Sequence, residues 1–328
     1  MNKENIINYC NSIGLDTLGF IKCREFTELK EFFYKRKSLG LENEFEEKDI
    51  DKRINPFNYM SEGKTIISIA FPYLHDIDYF DNGFSVYTRG EDYHKVVKSY
   101  LGKICGYIES IGGKAIPFVD SNFLPERYIA YLAGIGFIGK NNLIITKKYG
   151  SYVFLGEIIT DMEIDCDERD FKELSHFKEC GECELCYKAC PSKSINPYKK
   201  NSNICVSYLT QKKDLEDKHI KLLNGRVFGC DSCQNTCPYN EKINFSNINE
   251  FYPFDFMNKE NSHELANINN RGFKESFLNT SCGWRGKNVL KRNALIKINN
   301  NNQDIKSIKT DSPYLKDYVD RLLNSNKI

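Results

Sequence analysis

The chain has 328 residues, of which 41% are hydrophobic and 13% aromatic. That is enough for more than one folded unit with a sizeable core. Its 46 Lys and Arg against 45 Asp and Glu give a net charge of +1, which excludes a global field for nucleic acid, so any polyanion must meet a local patch.

The N-terminal stretch MNKENIINYCNSIG is polar and lacks an apolar leader core, and no later run reaches the ~18 apolar residues of a membrane span. With 13 cysteines and no export signal, the expected location is the reducing cytoplasm. Residues 4–13 predict a short amphipathic helix ended by Gly14, and 16–22 a strand. Segment 28–55 reads as charged and helical, closed by Pro56. Residues 65–71 are nearly all apolar, as in a strand buried on both faces.

Asp92 opens a long helix in which Tyr93, Val96, Val97, Leu101, Ile104 and Ile108 recur at helical spacing, and Gly112 and Gly113 stop it. A strand at 115–119 ends on Asp120. A helix near 124–133, a glycine-rich stretch at 134–140 and strands at 142–146 and 151–159 follow. Strands alternating with helices predict an α/β sandwich whose central sheet is at least partly mixed. Gly134, Gly136 and Gly139 match a dinucleotide fingerprint in spacing alone. A helix precedes them and strands follow, which is the wrong context for a nicotinamide or flavin site.

Residues 161–178 read as an acidic linker. Next come Cys180, Cys183, Cys186 and Cys190 before Pro191, spaced C-x2-C-x2-C-x3-C-P, the run with which bacterial-type ferredoxins hold cubane clusters. Cys230, Cys233 and Cys237 before Pro238 form a second run, with Cys205 between. Three closely spaced thiolates converge on one cube, and the last of each run turns to the other cluster. This assigns Cys180, Cys183, Cys186 and Cys237 to one 4Fe-4S cluster, and Cys190, Cys205, Cys230 and Cys233 to the second. Zinc sites usually pair two close ligands and then leave a gap, and disulfides need an oxidising compartment. Cys10 and Cys23 sit in apolar patterns and read as packing; Cys166 and Cys282 have no assigned role.

From 246 the chain is Asn-rich and Cys-poor, with helical patterns around 285–298 and 312–324. Arg271, Lys274, Arg285, Lys287, Lys291, Arg292 and Lys297 gather there among Phe273, Phe277 and Trp284. The run reads evenly as a solvated helical face or as a surface for a phosphate backbone and exposed bases. The expected units are an α/β domain at 1–165, a ferredoxin-like double-cluster domain at 166–245 and a helical region at 246–328.

Several stretches together resemble the epoxyqueuosine reductases, cobalamin-dependent enzymes that finish queuosine in tRNA. They are Arg89-Gly-Glu-Asp-Tyr-His-Lys-Val96, Val119-Asp120-Ser, Gly134-Ile-Gly-Phe-Ile-Gly-Lys-Asn141 and Gly150-Ser-Tyr-Val-Phe-Leu-Gly-Glu157. Both cysteine runs, Cys205-Val-Ser-Tyr-Leu-Thr-Gln211, Gly283-Trp-Arg-Gly-Lys-Asn288 and Lys291-Arg-Asn-Ala-Leu295 complete the set. The cysteine runs alone are shared with reductive dehalogenases. The resemblance implies a corrinoid between the α/β and cluster domains, with contacts at Arg53, Asp120, Ile144, Ile145, Thr146, Ser151, Leu155, Ser207 and Asp231. It places the proton donor on Asp120 and reads the glycines at 134–139 as room for a planar macrocycle. It further implies a helical-repeat region for tRNA contact, of which 246–328 holds the beginning. Ser121, Asn122 and Phe123 replace the family's usual Thr-Gly pair, and Glu126 stands where Asp is common.

The implied reaction removes an epoxide oxygen with two electrons and two protons. Desolvation at the macrocycle is expected to raise the Asp120 pKa so that it can protonate the departing oxygen. Asp92 reads as a helix cap, Tyr93 and His94 as candidates to face the cofactor, and His94 as a core or surface histidine before a cobalt ligand. The expected partners are tRNA carrying epoxyqueuosine and an external low-potential donor of flavodoxin or ferredoxin type, with no membrane and no second subunit. Two alternatives stand beside this reading: a dehalogenase-like corrinoid reductase of a small molecule, and a non-catalytic two-cluster electron carrier.

Overall fold

Thr65–Pro72 is buried at every position and forms an inner strand of a four-stranded sheet in the computed structural model of the chain. The structure describes residues 2–325 apart from 121, 122, 199, 309 and 311, so the departure at Ser121 and Asn122 lies outside the described residues. In chain order come α1 (Asn2–Ser12), β1 (Leu18–Lys22), α2 (Lys30–Ser38), α3 (Ile50–Ile54), β2 (Thr65–Pro72), α4 (Tyr93–Ser110) and β3 (Ala115–Phe118). Then follow α5 (Glu126–Leu132), β4 (Gly136–Ile138), β5 (Ile144–Thr146) and β6 (Val153–Thr160). The remainder is helical: α6 (Leu185–Ala189), α7 (Val206–Gln211), α8 (Asp217–Leu223), α9 (Ser232–Asn235), α10 (Ser262–Asn267), α11 (Asn270–Ser276), α12 (Lys287–Asn300) and α13 (Pro313–Ser325).

The sheet runs β1-β2-β6-β3 with every neighbouring pair antiparallel. The expected partly mixed sheet is therefore corrected. β2 and β3 do point the same way across α4, but β6 is inserted between them, so they never pair. Side chains alternate between two cores. On one face Ile67, Ile69, Phe71 and Ile158 meet Val97, Leu101 and Ile104 of α4 and Ile6 of α1. On the other, Ile66, Ala70 and Ile159 meet Tyr128, Ile129 and Leu132 of α5. Each Ile, Leu, Val or Phe among them contributes about 1.5–3 kcal/mol on burial. The segment expected as one helix over 28–55 breaks after Ser38, where Gly40 takes φ 63, and restarts at Asp49, whose carboxylate accepts the N–H groups of Asp51 and Lys52.

A third core joins Leu209, Leu223 and Phe228 to Leu265, Phe277, Leu290, Leu295, Leu315 and Tyr318. It is built around α12, and this overturns the basic-face expectation there. Lys291 is 8%, Arg292 0% and Lys297 6% exposed. The Arg292 guanidinium donates to the carbonyls of Lys212 and Lys213, both at 2.7 Å, and to the Tyr314 hydroxyl at 3.0 Å. A fork of fixed donors satisfies loop carbonyls here, so the charge is internal. No helix among the described residues is long and apolar enough to cross a membrane.

Candidate active site

Asp92 caps α4 by accepting the His94 N–H at 3.1 Å, and the same oxygen lies 2.8 Å from His94 Nδ1. This fixes the imidazole so that Nε2 stands 2.9 Å from Asp120 Oδ2. The Tyr93 hydroxyl donates to the same Oδ2 at 2.6 Å, and the Tyr93 ring stacks on Phe154 of β6 at 4.3 Å. Asp120 itself follows β3 at φ 43 and donates its N–H to Glu126 Oε1 at 2.8 Å. The N-terminus of α4, the end of β3 and the start of α5 thus converge on one carboxylate.

Burial works against the His94 charge, but the hydrogen bonds and charges of Asp120 and Asp92 outweigh it and push the imidazole up to about 9. Burial raises Asp120, yet its hydrogen bonds to His94 and Tyr93 and the His94 charge hold the carboxyl below its ordinary value. The raised Asp120 pKa expected from desolvation is corrected on this point: a cationic imidazole in contact keeps Asp120 ionised, and the proton resides on its partner. His94 is thus a member of the site, where the sequence suggested a core or surface residue. Tyr93 is pushed well above its ordinary range by burial and by the Asp120 charge, and stays a donor.

The Asp120 side chain is 56% exposed, yet burial is the largest influence on its ionisation; exposed Arg127 is likewise desolvated. Groups that water reaches while protein surrounds them line a cleft. Tyr93 and Phe154 stack on its α4 side, while half-buried Leu155 of the same strand turns to the α5 side. Of the other expected corrinoid contacts, Ser151 and Asp231 are joined through Gln234, at 3.0 and 3.3 Å. Asp231 also accepts the Val86 N–H at 2.8 Å. Ser207 hydrogen-bonds Tyr87, whose ionisation feels both Asp231 and Asp120. Ile144, Ile145 and Thr146 are buried in β5. These residues form the seam between the sheet and the cysteine-rich segment. Arg53 is held further along by Glu42 at 3.4 Å and Glu46 at 3.6 Å, over the Phe33 ring.

Of the glycines at 134–139, Gly134 is open apart from Arg169 Nε at 3.8 Å, while Gly136 and Gly139 let the hairpin close on itself. A Cβ on Gly136 would lie 2.3 Å from the Ile145 carbonyl, and one on Gly139 2.6 Å from the Ile145 side chain. The space they leave is filled by β5. The hairpin instead carries Lys140, whose Nζ donates to the carbonyls of Gly181 at 2.7 Å and Cys183 at 3.1 Å.

That contact borders a cavity of about 280 Å³ lined by Cys180, Cys183, Cys186 and Cys237, with Ile145 as one wall. Cys186 and Cys237 each feel Cys180 and Cys183 as neighbouring charges. Cys205 and Cys233 feel Cys230 and Cys190 in the same way. Cys233 also feels Cys186, so these charges bring the thiols into one neighbourhood without dividing them into the two expected sets of four. Burial and mutual repulsion raise the Cys186 thiol to about 11, an arrangement relieved by a cationic centre. Among the described residues no three His, Cys, Asp or Glu side chains close on a single ion position; the thiols surround a volume. Lys140, Gln234 and Asn240 escaped the sequence reading, because neither the distance from Lys140 to the loop at 181–183 nor the Gln234 and Asn240 contacts to Ser151 leave a local pattern.

A carboxylate–imidazole pair that holds a proton, in a chain with two ferredoxin-type cysteine runs, places it among iron–sulfur oxidoreductases. Residues 179–240 match the family model for a 4Fe-4S double cluster binding domain, and 53–121 match that of epoxyqueuosine reductase QueG, DUF1730. The epoxyqueuosine reductase of Listeria monocytogenes is 37% identical over 306 residues, spanning 90% of this chain and 79% of the relative. That of Bacillus subtilis is 36% identical over 310 residues, spanning 90% and 78%. The solved enzyme of Streptococcus thermophilus superposes with a TM-score of 0.88 at 32% identity, covering 98% of this chain and 90% of its own. An epoxyqueuosine reductase solved with an epoxyqueuosine-modified tRNA-Tyr stem loop gives 0.88 at 33% identity, covering 98% and 89%. A Bacillus subtilis structure with its catalytic aspartate loop swung out of the active site gives 0.81 at 34% identity, covering 91% and 81%. The chain belongs to the epoxyqueuosine reductase family.

Proposed function

We propose that this chain removes the epoxide oxygen of epoxyqueuosine in tRNA, and that it does so in the cytoplasm as a monomer. The observation that carries the reading is the Asp92–His94–Asp120 hydrogen-bond chain, which keeps a proton at the mouth of a desolvated cleft. The family membership and the stem loop bound to the relative support the substrate. We assign Cys180, Cys183, Cys186 and Cys237 to one cluster and Cys190, Cys205, Cys230 and Cys233 to the other. Asp120, Ile144, Ile145, Thr146, Ser151, Leu155, Ser207, Asp231 and the more distant Arg53 are assigned to cobalamin. The units at 1–165, 166–245 and 246–328 remain our division of the chain.

Epoxide to alkene consumes two electrons and two protons and releases water. Bound clusters supply electrons singly, and bound cobalamin supplies a low-potential cobalt centre, fed by an external flavodoxin- or ferredoxin-type donor. The protein's own part is acid catalysis. An alkoxide leaves poorly, so charge growing on the departing oxygen draws the proton shared by His94 and Asp120. Asp92 holds the imidazole in register, and Tyr93 donates to Oδ2 so that Asp120 stays aimed. The swung-out loop of the Bacillus subtilis relative supports reading the Asp120 segment as a loop with an in and an out position. With α12 internal, RNA contact falls to exposed side chains nearby. Trp284 is 55% exposed, meets Phe45 edge to face and is covered by Arg285 at 4.7 Å.

Anaerobic protein loaded with iron and cobalamin, given a reduced donor and an epoxyqueuosine stem loop, tests this. Loss of one oxygen from the nucleoside by mass spectrometry is expected only when both cofactors are present. Conversion without cobalamin contradicts the reading.

A further inference from the structure

A buried amide with an unspent donor lies on the wall of the cysteine cavity. Asn141, in the turn between β4 and β5, is 6% exposed. It lines that cavity together with Cys180, Cys183, Cys186 and Cys237. Its Oδ1 accepts the Leu143 N–H at 3.1 Å. This bond fixes which way the amide faces, because a backbone N–H needs the oxygen and not the nitrogen. Nδ2 is left buried, with no hydrogen-bond partner among the described residues. A buried donor in that state costs free energy until something accepts from it.

The turn keeps the amide in this position. The Gly139 N–H donates to the Leu143 carbonyl at 3.0 Å, and the Asn142 N–H to the Gly139 carbonyl at 2.8 Å. A Cβ on Gly139 would lie 2.8 Å from Asn141 Oδ1, so glycine leaves the space that the amide fills. The preceding residue ties the turn to the thiol loop. The Lys140 N–H donates to Cys180 Sγ at 3.5 Å, and Lys140 Nζ donates to the Gly181 and Cys183 carbonyls. One donor of the turn is thus already spent on a sulfur of this ring, and Asn141 brings the next to the same cavity.

The sulfurs of a cubane cluster are acceptors. Reduction adds one electron, taken from the external flavodoxin- or ferredoxin-type donor, and no bond forms or breaks. The added negative charge spreads over the cluster, so an N–H aimed at a sulfur binds the reduced state more tightly than the oxidised one. Hydrogen bonds to the sulfurs are one of the means by which a protein sets a cluster's potential. We propose that the Asn141 amide donates to a sulfur of the cluster held by Cys180, Cys183, Cys186 and Cys237, and so makes that cluster easier to reduce. The role rests on the ligand assignment made above.

Redox titration of the anaerobic, iron- and cobalamin-loaded full chain, followed by electron paramagnetic resonance, tests this without any turnover. Asn141→Asp keeps an oxygen for the Leu143 N–H and loses the amide donor, whereas Asn141→Ala loses both. Wild type and both variants should hold about eight irons and show two cluster midpoints. In Asn141→Ala one cluster should become about tenfold harder to reduce, a midpoint lower by about 59 mV for one electron. The same midpoint should fall further in Asn141→Asp, whose ionised carboxyl repels the added charge. The other midpoint should stay in place. Wild-type midpoints in Asn141→Asp overturn the role, and so does an equal fall of both clusters. Should one variant lose its iron, the other decides by the same midpoint. Loss of iron from both overturns the role, since the side chain would then serve the hairpin alone. A wild type with about four irons would speak against the ligand assignment, while the shift of its remaining midpoint still decides the role of Asn141.

Discussion

His94 Nε2 lies 2.9 Å from Asp120 Oδ2, across 26 residues of sequence, and this contact sets which of the two holds their proton. A desolvated carboxyl alone would hold the proton itself. With Asp92 behind the imidazole, the proton moves to His94 and the two residues titrate as a unit.

Asp120→Asn keeps size and hydrogen bonding but cannot accept the imidazole proton. Clusters and cobalamin should remain bound, and the single-turnover rate should fall by roughly 10²–10⁴. Lost cobalamin together with lost turnover would make Asp120 a binding residue.

The wild-type rate should fall as pH rises through about 9, where His94 loses its proton, and His94→Gln should abolish that limb. Stability follows the same group. The folded pKa of about 9 lies above the ordinary 6.5, so the pair's contribution is fully present below 6.5 and is lost as pH rises through 9. Asp120 is depressed, so its share is present above 3.8 and fades as pH falls through its lowered folded value. The melting-temperature gap between wild type and His94→Gln should be widest between these limits and close above pH 9.

Cys205→Ser should take the iron content from about eight per chain toward about four. Cys10→Ser and Cys282→Ser should leave it unchanged, since both thiols are fully buried in apolar cores. Iron assays on anaerobically purified protein check all three.

Arg292→Ala removes donors to three backbone carbonyls, those of Thr210, Lys212 and Lys213, and should cost on the order of 3 kcal/mol in denaturant unfolding. Trp284→Ala should leave stability nearly intact and weaken stem-loop binding by about 1–3 kcal/mol, the value of a base stacked on an aromatic ring. Equal effects of both variants on RNA binding alone would return α12 to the surface.

Local pattern carried the reading where physics is local. The 3.6-residue apolar recurrence from Tyr93 to Ile108, the all-apolar Thr65–Pro72 and the thiol spacing each needed no distant partner. The pairing of β2 with β6 was hidden because nothing in either strand names its neighbour across more than eighty residues. β4 was hidden among glycines that pack against Ile145. Arg292 misled because a charge reads as exposure, while its partners are carbonyls of a loop some eighty residues earlier. Asp120 was found by resemblance, but its ionisation depends on an imidazole that only the fold brings to it.

We propose that the proton for epoxide opening comes from the His94–Asp120 pair. The most direct measurement is the pH dependence of single-turnover conversion of an epoxyqueuosine stem loop by wild-type protein and by Asp120→Asn, both with full iron and cobalamin. The predicted result is a wild-type rate that falls through about pH 9 and, in Asp120→Asn, a rate slower by roughly 10²–10⁴ whose limb moves to lower pH, because His94 keeps only Asp92 as its carboxylate partner. Equal rates and the same limb in both proteins would contradict it.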